Sequence, residues 1–274
     1  MLTALSVLRP VLLTTALVSG GIDPAHARGI VERAFGAWQA VGATPAVPPN
    51  LAGADVPART LVVDLPGSGQ AAVYAFARGV SRTDPAYYDA VLANSVLGGS
   101  STGRLFQEVR VKRALSYGAY SQLAGQLGGG TLLASAQTKN ESAAEVAKVF
   151  LDEFARIGTE PLPADVIANR KTYLVGSFQR QLETANGFNA TLAGALLRGV
   201  EPADMLSYGN RIRAVQGSAA TASLGRILAP GRISLVIVGD SAKFIDKLRQ
   251  LRPDTVVVPV DKLDLATARP VGAP

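Results

Sequence analysis

Apolar residues recur along this chain at two spacings, and the switch between them marks its elements. Alternating or continuous apolar runs predict strands around Thr15–Ser19, Thr60–Leu65, Ala71–Arg78, Tyr117–Leu123, Thr131–Thr138 and Arg232–Val238, with a short edge strand at Thr255–Val258. Helical spacing predicts Pro24–Ala40, where Asp23-Pro24 is a cap and first-turn pair. A second helix repeats Tyr88, Val91, Leu92 and Val96 between Asp84-Pro85 and Gly98-Gly99. Further helices are expected at Thr102–Arg113, Glu141–Ile157, 164–182, 185–199, 203–228 and Ser241–Leu251. In Thr102–Arg113 the pattern turns Leu105, Phe106 and Val109 inward and aligns Arg104–Glu108–Lys112 as outward i,i+4 pairs. Gly67-Ser68-Gly69 reads as the turn of a hairpin, and the glycine-rich run Gly125–Gly130 as the turn of another.

This order of elements predicts an α+β fold, a mainly antiparallel sheet covered by helices. Residues 42–58 are rich in Pro, Gly and Ala without periodicity, an extended linker. The strand–glycine turn–helix pattern of Ala16–Phe35 is echoed by Ser234–Leu251, which suggests two similar domains. The expected organisation is therefore 1–41 as the last strand and helix of a sister domain, 42–58 as linker, 59–259 as a complete domain, and 260–274 as a loosely ordered tail. A start inside a sister domain is also what a piece of a longer protein would show. Two readings of residues 1–20 stand. One is a secretory signal, with Ala25-His26-Ala27 as cleavage site; the other is a helix or coil leading into the Thr15–Ser19 strand. Pro10 to Ile22 is an uncharged stretch of only thirteen residues, short of the ~20 that span a bilayer.

Composition narrows the chemistry. With 274 residues, 48% of them hydrophobic, the chain can bury a large core. It has no cysteine and one histidine, His26, against the three protein ligands a catalytic zinc normally takes, so no metal site is expected. The charge of +6 is spread without a run of five basic residues, and acids interrupt Arg104–Arg113, so no nucleic-acid partner is expected. No phosphate-binding glycine loop and no G-x-S-x-G nucleophile turn occur.

The informative stretch is Leu97–Tyr120: Gly98-Gly99, then Gly103-Arg104-Leu105-Phe106-Gln107-Glu108-Val109-Arg110, then Leu115-Ser116-Tyr117. It resembles the second-half signature of the pitrilysin and mitochondrial-processing-peptidase family of zinc metallopeptidases, the inverzincins. Gly20-Gly21-Ile22-Asp23-Pro24 through Trp38 resembles the strand–turn–helix that ends that family's first domain. The resemblance covers roughly residues 15–250. It implies a zinc-free, substrate-binding half, with zinc held by a homologous partner domain or subunit whose His-x-x-Glu-His motif is absent here. It also implies an unstructured peptide as substrate, with Arg110 and Tyr117, seven positions apart, supporting its hydrolysis. The chemistry is sound in itself. Peptide hydrolysis builds negative charge on a carbonyl oxygen, and a tyrosine hydroxyl and an arginine fork are both donors to it. Alternation along a strand sets Tyr120 on the face opposite to Tyr117, and Arg104 and Arg113 are read as surface charges. The family also supplies structural subunits that cleave nothing, so a structural or assembly role is the alternative. Bacterial relatives occur in periplasm and cytoplasm; the signal-like start does not choose between them, and the compartment stays open with the periplasm slightly favoured.

Overall fold

The computed structural model describes residues 3–9, 12–38, 57–264, 266 and 269–271. Residues 42–56 of the expected linker lie outside these, as do the last two residues of the first expected helix. The chain opens with β1 (Thr3–Arg9) and β2 (Leu12–Val18), paired antiparallel with Leu8 opposite Leu13. The segment ahead of Thr15, expected as helix or coil, is thus largely strand. Helix α1 (Pro24–Phe35) follows, with Asp23 accepting a hydrogen bond from the His26 backbone N–H at 2.9 Å. Its apolar side chains are largely uncovered: Ile30 and Phe35 are each 43% exposed, and Phe35 meets Trp38 edge to face at 4.8 Å.

The main sheet has six strands: β3 (Thr60–Asp64), β4 (Ala71–Gly79), β5 (Ser116–Gln126), β6 (Gly129–Thr138), β7 (Ser234–Gly239) and β8 (Val256–Pro259). Their spatial order is β5-β6-β4-β7-β3-β8. The pairs β5–β6, β6–β4 and β4–β7 are antiparallel, and β7–β3 and β3–β8 are parallel. The expected hairpin across Gly67–Gly69 is therefore not formed. Strand β7 enters between β3 and β4, pairing Val236 with both Leu61 and Tyr74. Its continuous apolar sequence is what a central strand flanked on both sides needs. The β5–β6 hairpin does form, and β8 is the edge strand expected near Thr255–Val258. A short antiparallel pair, β9 (Leu263–Asp264) and β10 (Arg269–Pro270), lies in the tail.

Helices α2 (Tyr87–Leu97), α4 (Ala143–Thr159) and α9 (Gly217–Ile227) cover one face of the sheet, and α3 (Arg104–Phe106) opens the segment considered below. Val146, Phe150, Phe154 and Ile157 of α4 meet Leu132, Leu235 and Ile237 in the core. Each such side chain contributes about 1.5–3 kcal/mol on burial. Outside this layer run α5 (Ala164–Leu182), α6 (Ala185–Leu197), α7 (Pro202–Leu206) and α8 (Tyr208–Ala214). The expected helix 203–228 is thus three. The chain turns at Ser207 and again where Val215 takes an extended conformation, and the turns let Met205, Ile212 and Leu224 all reach buried positions. Helix α10 (Ile245–Leu251) closes the domain.

Candidate functional site

The site begins where α2 stops. Gly98 approaches β5 so closely that a Cβ on it would stand 2.5 Å from the Ser121 backbone nitrogen, which instead donates to the Gly98 carbonyl at 2.9 Å. Ser121 also donates its hydroxyl to Asn94 at 2.7 Å, tying helix end to strand. The following turn is held by a residue remote in sequence. Arg170 of α5, only 8% exposed, donates to the Ser100 hydroxyl at 2.8 Å and to the Thr102 carbonyl at 2.6 Å.

From this anchored turn α3 starts and widens at once into a π-helical segment, Gln107–Lys112. Leu105 and Val109 are fully buried, and Arg110 to Arg113 face outward. The segment ends at Ala114, whose φ of 51° is left-handed, with the Leu115 N–H bonded to the Val109 carbonyl at 2.9 Å. Of the two expected i,i+4 pairs, Glu108–Lys112 forms and Arg104–Glu108 does not. Glu108 takes Lys112 at 2.5 Å and also Arg113, and these donors, Lys112 first, hold its carboxyl below the usual range. Arg104 turns away to Glu160 at 3.3 Å, so the expected Arg104–Glu108 pair is not made. Arg104 and Arg113 are both ion-paired, Arg113 as an exposed surface charge and Arg104 partly buried.

Arg110 forms no ion pair among the described residues. Its guanidinium carbon sits 5.2 Å from the centroid of the Tyr117 ring. The structure therefore brings together the two residues singled out from the sequence. Tyr117 is 86% exposed at the start of β5, so the pair contributes only about 0.5–1 kcal/mol to the fold and leaves the hydroxyl and most guanidinium donors open.

Tyr120 corrects the sequence reading. Between Ser116 and Ala119 the β5–β6 register shifts by one residue, a β-bulge. The extra residue reverses the alternation, so Tyr117 and Tyr120 border the same groove instead of opposite faces. Tyr120 lies over Gly118 and against Phe106, ring centroids 5.7 Å apart. The groove, about 430 Å³, is also lined by Tyr74, Gln70, Ser135 and Gln137. Sequence reasoning passed over Tyr74 and Arg170: each is an ordinary strand or helix residue, and neither carries a local signal of where it reaches.

No cluster of three or more His, Cys, Asp or Glu able to hold a metal occurs among the described residues. His26 is exposed on α1. None of the helices among the described residues is long and apolar enough to cross a membrane.

Comparison with known proteins accords with this architecture. The chain is 34% identical over 105 residues to an uncharacterized zinc protease of Streptomyces coelicolor, covering 38% of this chain and 23% of that one. A peptidase M16 inactive domain from Pseudomonas fluorescens superposes with a TM-score of 0.68 at 22% identity, covering 80% of this chain and 52% of that one. A protease from Helicobacter pylori superposes with a TM-score of 0.72 at 14% identity, covering 80% and 53%. This chain thus spans about a quarter of that curated relative and about half of those solved chains. Residues 9–174, more than half of the chain, match the family described as peptidase M16 inactive domain, and the chain belongs to that family.

Proposed function

We propose that this chain is the zinc-free, peptide-holding half of an M16-type peptidase, and that it assists hydrolysis carried out by a zinc-bearing homologous domain or subunit. The observation that carries this reading is the Arg110–Tyr117 pair, solvent-facing and set side by side where the π-helical segment meets the bulged strand. Neither side chain is needed to fill the core. A guanidinium is always charged and grips carbonyl oxygens, so Arg110 positions the peptide. The Tyr117 hydroxyl, a neutral donor, supports the charge that develops on the scissile carbonyl oxygen. Zinc and the general base belong to the partner in this reading, since this sequence has a single histidine and so lacks the family's His-x-x-Glu-His motif. The reading of the first segment as the end of a sister domain is supported by α1, which keeps Ile30 and Phe35 uncovered, with the exposed Trp38 just beyond it.

Mixing this chain with a zinc-motif homologue and an unstructured peptide library tests the proposal. Chelator-sensitive cleavage that appears only in the mixture, with a raised KM for Arg110→Ala, is expected. Cleavage by this chain alone would overturn the zinc-free reading. A working mixture indifferent to Arg110→Ala would remove the positioning role and favour a structural subunit.

A further inference from the structure

The segment that bears Arg110 has a second side. Between it, α4 and α5 lies a cleft of about 700 Å³ whose walls carry Arg104, Glu108, Lys112, Glu153, Arg156 and Arg170. Four cations thus meet two carboxylates. Three of the cations have acidic partners: Arg104 has Glu160, Lys112 has Glu108, and Arg156 has Glu153 at 2.6 Å and Glu160 at 2.9 Å. Arg170 does not. It is more than nine-tenths buried, its two hydrogen-bond partners, Ser100 and Thr102, are neutral, and it forms no ion pair among the described residues. A guanidinium has five N–H donors, so these bonds leave capacity unused.

Glu153 presents the complementary deficit. It is 3% exposed, one carboxylate oxygen takes the Arg156 bond, and the other is buried without a hydrogen-bond partner. A buried charge without a counter-charge and a buried acceptor without a donor are both costly. One molecule that offers an oxyanion to the first and an N–H or O–H to the second relieves both.

We infer that this cleft is a binding site for a small organic oxyanion, a carboxylate or a phosphate monoester, that also carries a hydrogen-bond donor. Arg170 anchors the oxyanion, since the four wall cations outnumber by one the three carboxylates that pair with them, Glu108, Glu153 and Glu160, and Arg170 is the one left over. Arg170 also grips the Ser100–Thr102 turn from which the Arg110 segment starts, so an occupant bears on the anchor of that segment. The site does not depend on that pair having a role in hydrolysis.

Isothermal titration calorimetry of the full chain in low salt tests this with three probes: alanyl-alanine, its C-terminal amide, and glycerol phosphate. Binding of alanyl-alanine or of glycerol phosphate is expected, and which one binds tells a peptide terminus from a phosphate ester. The amide should bind at least tenfold more weakly than alanyl-alanine if the peptide terminus is the ligand. Arg170→Gln should weaken the bound oxyanion about 10- to 100-fold, the worth of a charged hydrogen bond. Should circular dichroism find Arg170→Gln unfolded, Lys112→Glu at the exposed rim serves, with a loss in the same direction. The inference is overturned if neither oxyanion binds at about 10 mM. It is overturned equally if the amide matches alanyl-alanine while glycerol phosphate fails to bind, or if the folded variant binds like the parent.

Discussion

Gly98→Ala isolates the contact on which the whole site is mounted. The backbone there has φ −162° and ψ 15°, outside the left-handed region that favours glycine, and the cost of alanine is steric. The new methyl would stand 2.5 Å from the Ser121 nitrogen, 2.7 Å from the Ser121 hydroxyl oxygen and 3.0 Å from Leu105. The first of these is backbone of β5, held in register opposite Ala134, and cannot swing aside. Overpacking of this kind costs about 1–3 kcal/mol. Parting the Ser121 N–H from the Gly98 carbonyl, or the Ser121 hydroxyl from Asn94, adds about 1 kcal/mol per bond. The sum, about 3 kcal/mol, divided by a urea slope of about 3 kcal/mol per M, lowers the unfolding midpoint by about 1 M. Gly176→Ala is the control. It lies inside α5 with open space around it, and alanine there should raise stability by about 0.5–1 kcal/mol. Equal midpoints for Gly98→Ala and the parent would refute the reasoning.

Other outcomes follow from buried ionisable groups. Burial between Phe178 and the tyrosines of α2 pushes the Tyr208 hydroxyl up to about 12. A pKa raised in the folded state gives stability that is complete below the unfolded value near 10 and is lost as pH climbs towards 12. Urea midpoints measured from pH 9 to 11 should therefore fall less for Tyr208→Phe than for the parent; parallel curves would contradict the assignment. Arg156→Ala strips from the buried Glu153 its only donor among the described residues and should destabilise by about 2 kcal/mol, part of it recovered when Glu153→Gln is added. Strict additivity in that double-mutant cycle would show the pair to be uncoupled.

Much of the fold was legible because local pattern and global fold agree. The helices at 143–159 and 164–182 and the β5–β6 hairpin are written in local periodicity and glycine turns. The failures come from long-range pairing. The β3–β4 hairpin was a sound local reading, overridden by β7, which is more than 150 residues further along the chain. The Tyr120 side was missed because a bulge changes parity by one residue and leaves no mark in an alternating pattern. Arg110 and Tyr117 were found through a motif whose spacing happens to span a helix end and a strand start. Arg170 could not be, because it acts on a turn 70 residues away.

The central claim is that Tyr117 serves hydrolysis in a zinc-bearing partner's active site. The most direct measurement is kcat for a reconstituted pair carrying Tyr117→Phe, which deletes one hydroxyl from an exposed ring and leaves the fold intact. The account predicts a loss of about 100-fold in kcat, the worth of a donor to the developing oxyanion, with little change in stability. A pair that cleaves at the parent's rate with phenylalanine at that position would contradict it.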